Sequence, residues 1–126
     1  MASKHVRVLG IHNKGAGFGS LFQHLGDRGC TCEIAGSYSE GIQLFRKQPF
    51  DLVLCSGEPG IETLLASVEG SYASVYCAHL VEAGCWWFPV IQQGRKCLGA
   101  PALRSSEFAD VLSRMLEKVK STAGTG

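Results

Sequence analysis

The sequence predicts an α/β domain in which strands and helices alternate along the chain, and three observations carry that prediction. Short continuous apolar runs such as Leu52-Val53-Leu54-Cys55 are bounded by turn residues, the pattern of a strand buried on both faces. Between such runs lie stretches with helical spacing, of which Ile61, Leu64, Leu65 and Val68 at i, i+3, i+4 and i+7 is the clearest. The length of 126 residues suits one domain, and a composition of 45% apolar and 18% charged residues excludes a disordered chain.

Each element follows in order. Val6, Val8, Leu9 and Ile11 form a first strand ending at His12-Asn13, and Lys14 to Gly19 is a glycine-rich connection. Ser20 is placed to cap a short helix with Leu21, Phe22 and Leu25 inward, closed by Gly26 to Gly29. Cys30, Cys32 and Ile34 alternate with Thr31, Glu33 and Ala35 as in a half-buried second strand. Ser37 or Ser39 caps the next helix, which carries Ile42 and Phe45 inward and Arg46-Lys47 at its C-terminal end, where cations are favoured. The third strand starts after Pro49 and delivers Ser56 to its carboxyl end, and Gly57 and Pro59-Gly60 then turn the chain. A short helix over Ile61 to Val68 stops at Gly70, and Ser74 to Leu80 reads as the fourth strand.

The following segment differs in character. Gly84 to Ile91 is aromatic and β-branched with Pro89 inside, a poor helix former throughout. Gln92 to Arg95 is a turn and Lys96 to Ala100 a returning strand, so 84–100 is expected to be a β-hairpin. Pro101 ends it. Ser105 caps a last helix with Phe108, Val111, Leu112, Met115, Leu116 and Val119 on one face, and 121–126 is expected to be a disordered tail after an ordered core of about 5–120.

The succession of elements, with Gln48-Pro49-Phe50-Asp51-Leu52-Val53-Leu54 between the second helix and third strand, resembles the receiver domain of bacterial response regulators. That resemblance implies a three-layer α/β/α, flavodoxin-like fold with a mainly parallel five-stranded sheet, the fourth helix region being replaced here by the hairpin. It also implies a role in two-component signal transduction, where the family accepts a phosphoryl group on an aspartate with the help of Mg²⁺. The family's catalytic set does not carry over. The phospho-acceptor position is Ser56, the acidic-pair positions are His12 and Asn13, the lysine position before Pro101 is Ala100, and the hydroxyl-bearing switch position falls near Cys77 or Ala78. Mg²⁺ demands carboxylate oxygens, and phosphoryl transfer depends on metal and cation positioning. The expectation is a degenerate receiver that is not an enzyme and uses no cofactor.

Lys14, Gly15, Gly17, Gly19 and Ser20 stand where a phosphate loop precedes a helix. Their spacing is G-x-G-x-G rather than G-x-G-x-x-G, so anion or small-ligand binding there is the alternative reading. Ser56 with His12 as base lacks the G-x-S-x-G elbow. Cys77, His79, Cys85 and Cys97 match no compact zinc spacing, and Cys55 and Cys77 read as small buried hydrophobes. No metal site is expected. Trp86-Trp87-Phe88 is the candidate interface: exposed aromatics mark interaction sites, and this is the region receivers use for output. A protein partner or a homodimer is therefore expected. A net charge of +1 without a basic cluster speaks against nucleic acid. The absence of a long apolar run speaks against the membrane, and with the short N-terminal apolar run it points to the cytoplasm, with the six cysteines reduced.

Overall fold

The computed structural model describes residues 6–11, 19–56, 60–71, 73–81, 84–92, 94–97 and 102–125. Four strands, β1 (Arg7–Ile11), β2 (Thr31–Ala35), β3 (Leu52–Ser56) and β4 (Ser74–Val81), are linked by α1 (Gly19–Asp27), α2 (Tyr38–Lys47) and α3 (Ile61–Val68). All their pairings are parallel, and the sheet runs β2-β1-β3-β4-β5-β6. Parallel neighbours need a helical crossover, and right-handed crossovers place helices on opposite faces when the strand order reverses at β1. Phe22 and Leu25 of α1 thus pack on one face with Val8, Leu52 and Leu54. Ile42 of α2 and Leu64 and Val68 of α3 pack on the other, with Leu9, Ile11, Val53 and Cys55. The strand residues alternate between the two cores because successive side chains point to opposite faces.

Local signals explain the boundaries. Of the two serines able to cap α2, Ser37 does so: its hydroxyl accepts from the Glu40 amide at 3.2 Å, and the Glu40 carboxylate accepts from the Gly36 amide at 3.2 Å. Ser20 lies within the first turn of α1 rather than before it. Asp51 ties the amino ends of three strands together. Its carboxylate accepts from the Arg7 amide at 3.0 Å, its own amide donates to Arg7 O at 2.9 Å, and its carbonyl accepts from Ser74 at 3.0 Å.

The last third departs from the expected layout. β5 (Gly84–Gln92) runs antiparallel to β4, from Val81↔Gly84 to Val75↔Ile91, so the sheet is mixed. Only two residues separate β4 from β5, which permits a hairpin and no crossover. The place of a fifth parallel strand is taken by an antiparallel one. Pro89 cannot donate to the ladder, and it sits opposite Tyr76 beside a register shift at Val75/Tyr76. The return expected over residues 96–100 is the two-residue β6 (Arg95–Lys96), and β7 (Leu103–Arg104) pairs with β5 further along the same edge. The helix α4 (Ser105–Thr125) then lays Phe108, Leu112 and Leu116 on the α1 face. Its backbone continues through 121–125, over residues that the sequence reads as a tail. No helix among the described residues is long and apolar enough to cross a membrane.

Candidate functional site

Ser56 closes β3 at the carboxyl edge, the edge at which open α/β sheets gather their chemistry. Parallel register sets it beside Ala78. The Ser56 hydroxyl is buried and has no hydrogen-bond partner among the described residues, while its backbone carbonyl accepts from the Tyr38 hydroxyl. Tyr38 is held there by packing against Gly60, whose absent Cβ would lie 3.3 Å from the ring. Gly60 has φ +111°, a left-handed conformation natural to glycine.

This donor set does not suit Mg²⁺. A hydroxyl facing a methyl group supplies no charge, and His12 and Asn13, which lie with Ala100 outside the described residues, carry no carboxylate. Among the described residues no group of three or more His, Cys, Asp and Glu side chains is arranged to hold a metal. Lys14, Gly15 and Gly17 of the candidate anion loop also lie outside the described residues. The backbone of Gly19 and Ser20 forms the first turn of α1.

The aromatic triplet divides as strand alternation requires, with consequences that differ for each ring. Trp87 is 3% exposed. It stands opposite Ala78 on the α1/α4 face and stacks on Phe108, with centroids 4.4 Å apart and planes at 13°. Its assignment to an interface is corrected: it is core, because α4 covers that face. Trp86 and Phe88 stand opposite His79 and Cys77, which places them on the α2/α3 face. The core on that face reaches Val75, Cys77 and Ile91. Beyond it Trp86 and Phe88 are half-buried and His79 is exposed. Arg104 of β7 lies 5.9 Å from the Trp86 ring centroid, a cation–π contact.

A second constellation joins β3 to β4. Cys55 and Cys77 are register partners on β3 and β4 and belong to the same core face. The Cys55 thiol is fully buried; it donates to Tyr76 O at 3.5 Å and also lies within hydrogen-bonding reach of the Cys77 sulfur. That bond to Cys77, with burial, holds Cys55 protonated well above the ordinary thiol range, and Tyr38 opposes the effect. Receiving the bond holds Cys77 below that range, against the opposing effect of its own burial. The signal was present in the spacing: each cysteine is the fourth residue of its strand, and Leu52 pairs with Ser74.

No protein-family model matches the chain, nor does any curated protein sequence. In fold it is similar to the chemotaxis protein CheY4 of Vibrio cholerae, as crystallised at pH 4.0. The TM-score is 0.55 at 16% identity, over 92% of this chain and 99% of that one. The chain thus has an α/β fold of the kind seen in a chemotaxis response regulator, with a mixed sheet.

Proposed function

We propose that this chain is a receiver-fold signalling module that works through protein contact and without phosphorylation. The observation that carries the contact reading is the end of the β4–β5 face, where Trp86 and Phe88 are half-buried beside the exposed His79. Half-buried rings there present apolar area at low entropic cost, as interaction hot spots do. Arg104, exposed and beside Trp86, gives the patch a basic rim on that side. Such a rim favours a protein partner with an apolar centre and acidic surroundings; a second copy of the chain is the other occupant. Independence from phosphorylation rests on Ser56, a buried hydroxyl set against Ala78 where the family carries its acceptor carboxylate.

Two measurements test the reading. Beryllofluoride with Mg²⁺ should leave the thermal transition unmoved; a clear upward shift overturns phosphorylation independence. Light scattering across a concentration series should show a mass above 13.5 kDa for self-pairing, lost in Phe88→Lys. If the mass stays monomeric, the occupant is a foreign protein, and hydrogen exchange in its presence should protect β4 and β5. Protection confined to other elements sinks the assignment.

A further inference from the structure

We propose that Cys77 and Cys55 form a hydroperoxide-reactive dithiol, in which Cys77 takes the oxidant and Cys55 closes a cross-strand disulfide. The inference stands apart from the proposed function, because it needs neither a partner nor a role for the aromatic patch.

The geometry comes first. The two cysteines are paired in register on neighbouring parallel strands, with both side chains in the core between the sheet and α2/α3. Neighbouring strands lie about 4.8 Å apart, within the range of about 4.4–6.8 Å that disulfides span between Cα atoms. Closing the bridge therefore asks for side-chain rotation and little backbone movement.

The pair is also asymmetric, as a two-cysteine peroxide site must be. Cys55 is 0% exposed, whereas Cys77 is half-buried at the rim of that core, across from Phe88 and two residues from the exposed His79. Oxidant reaches Cys77 and not Cys55. The nucleophile is the thiolate, and the bond from Cys55 favours the ionised form of Cys77. Cys32, by contrast, is pushed up to about 11 by burial and by Cys30.

The chemistry balances within the pair. The Cys77 thiolate attacks one oxygen of the hydroperoxide, the S–O bond forms, the O–O bond breaks, and the leaving oxygen departs as water or alcohol after taking a proton from solvent. Cys55 sulfur then attacks the sulfenic sulfur. The S–S bond forms, the S–O bond breaks, and the hydroxide leaves as water with the Cys55 proton. Two thiols lose two electrons and the peroxide gains them. In a reducing compartment the bridge is transient, the usual form of such redox-sensing pairs.

The test uses the full chain and hydrogen peroxide, quenched by alkylation. Digestion at glutamate places Cys55 in peptide 41–62 and Cys77 in peptide 70–82. The two should appear linked, 2 Da lighter than their sum and separable by dithiothreitol. The linked pair should form at least about tenfold faster than Cys97, also half-buried, is oxidised, as expected for a supported thiolate. Cys55→Ala should leave Cys77 as a sulfenic acid captured by dimedone, which wild type yields only in traces. Cys77→Ser should abolish the peroxide reaction at Cys55. Because the wild-type peptide map needs no variant to fold, it decides alone: no linked pair, or Cys77 oxidised no faster than Cys97, overturns the proposal.

Discussion

Trp87 and Phe108 stack with their centroids 4.4 Å apart, and this contact joins the antiparallel strand β5 to the last helix α4. Tyr76 adds a tilted ring 4.9 Å from Phe108 on its other neighbour, β4. Three aromatic rings from three elements thus form the centre of the α1/α4 core. Truncating Trp87 to Ala should cost about 3–5 kcal/mol, the range for large aromatic side chains removed from a core. Trp86→Ala removes a half-buried ring and one cation–π contact and should cost about 1 kcal/mol. Urea denaturation of both variants checks the contrast; equal losses would mean that Trp86 is as deeply packed as its neighbour.

Ser56→Ala should leave stability unchanged or raise it by up to about 1 kcal/mol, since a buried hydroxyl without a partner among the described residues costs desolvation. Ser56→Asp should gain no phosphoryl mass from acetyl phosphate and Mg²⁺, because His12 and Asn13 still supply no carboxylate. Intact mass spectrometry reads the second outcome, and a gain of one phosphoryl group would contradict it.

Gly94 turns the chain from β5 into β6 with φ +79°, and a Cβ on it would lie 2.1 Å from Ser71 O. The obstacle is backbone in the α3–β4 connection and cannot swing aside. Gly94→Ala should therefore cost at least about 2 kcal/mol from left-handed strain and displacement together. Gly29→Ala tests the separation: it shares a positive φ of 85° but meets nothing within 4 Å, so it should cost about 1–2 kcal/mol from strain alone. Equal losses in the two variants would remove the contact with Ser71 as a cause.

Alkaline pH should destabilise the fold. Cys32 is raised from 9.0 to about 11, mainly by burial, and Cys55 is raised by its bond to Cys77 and by burial. Between about pH 9 and 11 the folded chain keeps protons that the unfolded chain has released, so unfolding is favoured as pH rises. The stabilisation is complete below the unfolded thiol value and is lost through the folded one. Cys77, lowered by the same bond, works in the opposite direction at lower pH. Tm measured across this window should fall, and Cys32→Ser should flatten part of the fall; a rising Tm would refute the assignment.

Much of the fold is legible because local pattern and burial agree along the first two thirds of the chain. Leu52 to Cys55 is apolar at every position because that strand is covered on both faces, and Ser37 with Glu40 marks the start of α2. The segment from Gly84 onward is legible only as strand. Its composition announces extended structure, but a strand's direction depends on the length of the preceding connection and on which neighbour has a free edge.

By itself, then, the sequence determined the alternating α/β order, the buried third strand and the absence of carboxylates at Ser56, His12 and Asn13, since each follows from residue type and local spacing. The tertiary structure alone decided that β5 joins β4 antiparallel, that Trp87 is core while Trp86 and Phe88 are not, and that Cys55 meets Cys77. The physical reason is common to all three. Strand alternation separates neighbouring side chains into two faces, but only long-range packing determines which face a helix covers and which residue of another strand stands alongside.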